Sequence, residues 1–135
     1  MKATYDSDGI VYNREQISEV DIDVWVKNLD GWNNPYLIIE NNNGDYMQCM
    51  GGDDGFVVEV RFYAGEAFEH FRVGNGEMSK VWNEVSGVVG PVRALEHEVL
   101  KRSDVEKLLK SFFTTGEVES TYNKRNITET FTQNK

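Results

Sequence analysis

Cysteine, histidine and proline are nearly missing from this chain. The single cysteine, Cys49, excludes an intramolecular disulfide and any cysteine-rich zinc site, and it suits a reducing compartment. The two histidines, His70 and His97, lack ligand-spaced partners, so a metal site would have to be assembled from scattered carboxylates. No apolar run is long enough to span a membrane, and residues 1–20 are polar and acidic, without the apolar core of a secretory signal. The expected compartment is the cytoplasm. Basic residues are scarce in the N-terminal part. Residues 1–54 carry 11 acidic and 3 basic side chains, a net of −8 out of the chain's −9, whereas residues 55–135 carry 12 and 11. Such a surface repels nucleic-acid phosphates and anionic membranes and draws basic partners toward it. Acidity of this kind also serves solubility with no partner involved.

What is present fits one domain, residues 1–135. The chain is 39% hydrophobic and 27% charged, ordinary for a globular fold, and its length suffices to bury roughly two-thirds of the unfolded surface. Four strand-like runs dominate: Tyr36–Glu40, Asp45–Met50, Phe56–Tyr63 and Ala67–Val73. Turn residues separate them, at Asn41–Gly44, Gly51–Gly55 and Ala64–Glu66. Asn and Gly tolerate the positive φ of tight hairpin turns, so this spacing predicts an antiparallel meander. In the third run Phe56, Val58, Val60 and Phe62 fall on one apolar face, with Val57, Glu59, Arg61 and Tyr63 on a mixed face expected to stay partly exposed. In the fourth, Phe68, His70 and Arg72 share a side.

Upstream, residues 4–12 read as a short hairpin turning at Asp8-Gly9. Residues 15–29 satisfy two patterns: Ile17, Val20, Val24 and Trp25 lie near a helical stripe, and Val20, Ile22, Val24 and Val26 alternate as in a strand. A cap at Ser18 or Asn13 favours helix for the early part, with strand as the alternative. Residues 29–35 form a loop. Downstream, Gly87, Gly90 and Pro91 argue against a long helix in the weakly patterned segment 80–92. The clearest helix is expected to start after Ser103, with Glu106 completing a capping box. It carries Val105, Leu108, Leu109, Phe112 and Phe113 at helical spacing and stops at Gly116. In the polar tail from Glu117 onward, Tyr122, Ile127 and Phe131 are the residues able to anchor a last helix or strand. These elements predict an α+β fold: an antiparallel sheet of about five or six strands with one or two helices on its apolar face.

Familiar catalytic and cofactor motifs fail on spacing. Asp6-Ser7-Asp8-Gly9 opens like a calcium loop, but its glycine comes too early and the closing glutamate is misplaced. Gly51–Gly55 has oxygen ligands to offer a cation, yet Asp and Gly are what a hairpin turn requires. Residues 74–80 match neither the P-loop nor the dinucleotide fingerprint. Cys49 paired with His70 or His97 is the one nucleophile candidate, and a lone mid-strand cysteine is usually a small buried hydrophobe. No cofactor is expected.

Residues 36–73, then Leu95–Leu100, then Ser103–Gly116 with its Phe-x-x-x-Gly ending, together resemble an immunity protein of bacterial polymorphic-toxin and contact-dependent growth-inhibition systems. The resemblance runs over about residues 36–131. Related sequences often carry a tryptophan soon after that glycine, where this chain has Tyr122. The resemblance implies a small cytoplasmic, non-enzymatic protein that binds the C-terminal domain of one cognate toxin, frequently a nuclease, and blocks its active site or substrate path. Nucleases are basic because they hold phosphates, so an acidic partner fits them as a substrate mimic. On the residues themselves, the expected contact surface combines Asp21, Asp23, Asp30, Asp45, Asp53 and Asp54 with Glu59, Tyr63 and Trp32, the aromatics supplying desolvated contact area. Two rivals stand: a ligand-binding module or enzyme with a pocket between sheet and helix, using Cys49, His70 or Glu59, and a non-catalytic adaptor subunit.

Overall fold

Strand β1 (Lys2–Ser7) turns back through Asp8 and Gly9 into β2 (Ile10–Arg14), and both turn residues take positive φ, 55° and 84°, as a tight two-residue hairpin demands. The computed structural model describes residues 1–87 and 90–132. The segment that satisfied two patterns is helix α1 (Glu19–Asn28). Ser18 caps it: its Oγ accepts the Asp21 N–H, and the Asp21 carboxylate accepts the Ser18 N–H. Helical spacing buries Ile22 and Val26 together and turns Val20 and Val24 outward, an outcome strict alternation would not allow.

The meander follows as β3 (Tyr36–Glu40), β4 (Tyr46–Gly52), β5 (Gly55–Ala64) and β6 (Ala67–Gly74), each antiparallel to the next. Gly51 and Gly52 belong to β4, which leaves only Asp53-Asp54 as the turn. A small hairpin comes next, β7 (Trp82–Val85) and β8 (Val92–Leu95), then a 3-10 turn (Glu96–Glu98), α2 (Arg102–Thr115), β9 (Asn123–Asn126) and α3 (Glu129–Thr132). The main sheet has seven strands in the order β2-β1-β3-β4-β5-β6-β9, all pairs antiparallel. That exceeds the expected five or six, because β9 is Asn-Lys-Arg-Asn, a sequence with no strand pattern that is paired only by its neighbour β6.

The α+β architecture is as the sequence indicates. Leu37, Ile39, Met47, Cys49, Phe56, Val58 and Val60 of the sheet are buried against Ile22 and Val26 of α1 and Val105, Leu108, Leu109 and Phe112 of α2. Helix α2 begins two residues earlier than the Ser103 cap would place it: Lys101 holds the cap position, and the Asp104 carboxylate, in place of Glu106, accepts its N–H at 2.9 Å. Gly116 ends the helix at φ 75°, its N–H reaching Phe112 O at 2.8 Å.

The other face of the sheet departs from expectation. The β7–β8 hairpin packs on it, and Val57, Val85 and Ala94 make a second buried cluster flanked by Met50, Val92 and Val99. At the opposite edge α3 lays Phe131 over His70, ring centroids 4.3 Å apart. Among the described residues no helix is long and apolar enough to cross a membrane.

Candidate functional site

Antiparallel pairing gathers the β1–β2 turn, the β4–β5 turn and the loop between α1 and β3 at one end of the sheet. The loop is folded by Asp30, whose Oδ1 accepts the N–H groups of Trp32 and Asn34, both at 2.9 Å. Those bonds hold the Asp30 carboxyl below its ordinary range. With the backbone tied back, the Trp32 side chain points outward and is 68% exposed. The Asp8 N–H donates to Asn33 O at 2.8 Å, joining the first hairpin to this loop. Gly52 abuts the loop from the other side, where an added Cβ would lie 2.4 Å from Asp30 O. Asp8, Asp30, Asp53 and Asp54 are all exposed around this end. Two of them are held locally, Asp53 3.3 Å from Arg102 Nη2 and Asp54 accepting the Ser86 N–H at 3.0 Å.

The remaining residues expected to contact a partner lie elsewhere. Asp45 and Tyr63 meet at the opposite end of β4, where the Tyr63 N–H donates to Asp45 Oδ1 at 2.7 Å. Asp21 caps α1, and Asp23 bridges α1 to α2 through Lys110 Nζ at 2.6 Å, a bond that lowers the carboxyl's pKa. Of the nine, Asp30, Trp32, Asp53 and Asp54 therefore share one surface.

Glu59 requires correction: it is 8% exposed, buried rather than on the open surface expected. The strand register sets Gln48, Glu59 and Arg72 side by side across β4, β5 and β6, with Arg125 of β9 opposite Arg72. Glu59 Oε2 accepts from Arg72 Nη2 at 2.7 Å and Nε at 3.1 Å, and Oε1 lies 2.6 Å from His70 Nε2. Burial pushes the Glu59 carboxyl up, and the bonds from His70 and Arg72 outweigh it and hold the group below its ordinary value. Arg125 is matched in the same way by the fully buried Glu98, Nε to Oε2 at 2.8 Å. A polar residue on an alternating strand reads as solvent-facing, whereas here Arg72 and His70 cover Glu59, and Arg72 Nη1 in turn donates to Arg93 O of the β7–β8 hairpin at 2.7 Å.

This geometry also bears on the nucleophile candidates. The Arg61 Nε–H donates to His70 Nδ1 at 3.0 Å, so the ring proton sits on Nε2 and points at Glu59; with both nitrogens engaged and the ring 0% exposed, His70 offers a substrate neither proton nor lone pair. Cys49 is buried on the helix side with its thiol pushed up to about 12, the reverse of an activated nucleophile. His97 Nδ1 accepts the Ser79 N–H. Among the described residues, no three His, Cys, Asp or Glu side chains converge as metal ligands would.

A cavity of about 220 Å³ lies on the hairpin side of the sheet, lined by Tyr36, Ile38, Gln48, Cys49, Met50, Val57 and Glu59, so Cys49 and Glu59 of the expected pocket residues border it and His70 does not. It is across the sheet from the helices, so the expected pocket between sheet and helix is not where this space opens. What sequence reading did not show is that the second strand of the expected hairpin, β2, is a sheet edge with apolar side chains outward: Ile10 and Val11 are 57% and 54% exposed beside the Asp8-Gly9 turn. Their signal was an ordinary hairpin pattern, and nothing in it marked the strand as a sheet edge. Comparison with family models, with curated proteins and with solved structures finds no match to this chain.

Proposed function

We propose that this protein works by binding another protein, as a non-enzymatic inhibitor of the immunity-protein kind directed at a basic toxin domain, with a nuclease as the fitting class. The observation that carries the reading is Trp32, 68% exposed among Asp8, Asp30, Asp53 and Asp54. A large aromatic held outward by hydrogen-bonded backbone costs water contact in the free protein and supplies a rigid anchor in a complex. The carboxylates around it steer a basic partner and offer negative charge where a nuclease would hold phosphates. Apolar Ile10 and Val11 on the adjoining edge extend the contact area.

The test is growth rescue. Any toxin-like domain found encoded beside this gene is expressed with and without the protein, and with a Trp32→Ala variant. Rescue by the parent and its loss in the variant support the reading, and toxicity unrelieved by the parent protein sinks it. A second reading, a module for a small apolar ligand, rests on the 220 Å³ cavity with Gln48 and Glu59 at its wall. An adaptor role without inhibition would leave binding intact and rescue absent.

A further inference from the structure

Strand β2 is one edge of the seven-stranded sheet, and every residue from Ile10 to Arg14 is exposed. Ser7 and Ile10 close the two-residue Asp8-Gly9 turn, so they exchange hydrogen bonds, and along an antiparallel ladder bonded pairs alternate with unbonded ones. Tyr12 and Arg14 therefore bond back to β1. Val11 and Asn13 turn their N–H and C=O groups outward, where no strand meets them among the described residues. The opposite edge is protected: β9 has only four residues and carries Lys124 and Arg125. In β2 there is neither lysine nor proline, its register with β1 runs without a bulge, and the apolar side chains of Ile10, Val11 and Tyr12 stand in water. An edge of that kind is a template for another strand.

The strand's own sequence fits the template. With two β2 strands antiparallel about a twofold axis at Val11, each Val11 exchanges its outward bonds with the Val11 of the second copy. Each Ile10 then lies opposite a Tyr12, and each Arg14 comes level with an Asp8 of the other chain. Tyr12 is already held by stacking on Tyr5, ring centroids 5.3 Å apart, so little ordering is left to be done on contact. An axis at Tyr12 would set Arg14 against Ile10, and one at Asn13 would set Glu15 against Val11, so charge complementarity selects Val11. Residues 1–16 carry two basic and three acidic side chains, and most of the −9 net charge lies off this edge. We propose that the free protein pairs with a second copy of itself through β2, about a twofold axis at Val11. The pairing does not rest on the protein-binding reading. It covers Ile10 and Val11 in the free protein, and a protein partner that reaches them displaces the copy.

The experiment uses the whole protein alone. The parent is sedimented over a concentration series beside Val11→Lys, which brings two ammonium groups together at the axis from a position that is exposed in the single chain. A dimer of the parent is expected, weakened at least about tenfold in Val11→Lys by the like charges. Cross-linking reads the register. Opposed bonded residues lie about 5.5 Å apart at Cα, within reach of a disulfide, so Val11→Cys is expected to oxidise to a covalent dimer. Tyr12→Cys, and Val20→Cys on the exposed side of α1, are expected to stay monomeric under the same oxidation. Cys49 is buried and takes no part. A parent that remains a monomer up to about 1 mM overturns the proposal, as does a Val11→Lys protein that dimerises as well as the parent. Tyr12→Cys cross-linking as fully as Val11→Cys puts the axis elsewhere, Val20→Cys doing so reduces the bond to chance collision, and either result overturns it too. A monomeric parent leaves the protein-binding reading standing, and a dimer that relieves no toxicity leaves the pairing standing without it.

Discussion

Glu59 Oε1 lies 2.6 Å from His70 Nε2 in the interior of the hairpin-covered face, and Arg61 holds the far side of the same imidazole. A carboxylate taken out of water needs such partners, and here one arginine, Arg72, and the histidine are brought to it by the pairing of β5 with β6.

Glu59→Ala is expected to destabilise the fold by about 3 kcal/mol, since it leaves the largely covered Arg72 without its counter-charge. Glu59→Gln retains part of the hydrogen bonding and is expected to cost less. Urea unfolding of the two variants measures the difference, and a Glu59→Ala protein as stable as the parent would contradict the account.

The pH dependence follows from the same groups. Glu59 and Glu98 both have native pKa values below the ordinary 4.5; burial opposes that shift, and the bonds from His70 and Arg72 in one case and Arg125 in the other overcome it. A depressed carboxyl contributes stability that is fully present above its unfolded pKa and is lost as pH falls through its native one. The urea midpoint is therefore expected to lose this contribution below about pH 4.5, with a shallower acid decline in Glu59→Gln. A midpoint that rises on acidification would be the wrong sign.

Cys49 gives a probe of opening. Its thiol is buried, with a pKa pushed up to about 12, so a disulfide reagent at pH 8 is expected to react only as fast as the core opens, and at once in denaturant. Immediate labelling of native protein would place the thiol outside the core.

How much of this was legible in the sequence depended on where each signal resided. The Asp8-Gly9 turn, the Ser18 cap, the Gly116 stop and the apolar stripe of α2 are local, and they read correctly. Strands β7 and β9 carry no pattern of their own, because Trp82–Val85 and Asn123–Asn126 are strands through what they pair with. Glu59 failed for a related reason: an alternating pattern says which side a residue faces, and the cover over that side is built from residues far along the chain. For the candidate surface, acidity and Trp32 were visible early, whereas the separation of Asp45 and Tyr63 from Asp30 and Asp53 needed strand direction.

Gly52 links fold to site. A Cβ there would meet the Asp30 carbonyl at 2.4 Å, so Gly52→Ala is expected to cost about 1–3 kcal/mol and to displace the loop that presents Trp32. Thermal melts read the first effect and an altered Trp32 fluorescence the second. A variant unchanged in both would show that this contact does not position the loop.

The central claim is recognition of a basic partner by the acidic end of the sheet. Its most direct test is affinity for a toxin domain whose toxicity the protein relieves, measured against salt concentration for the parent and for Asp53→Lys with Asp54→Lys. The expected result is tight binding that weakens as salt rises, with the double variant binding less well and with a flatter salt slope. Equal affinity and an unchanged slope in the double variant would contradict the account.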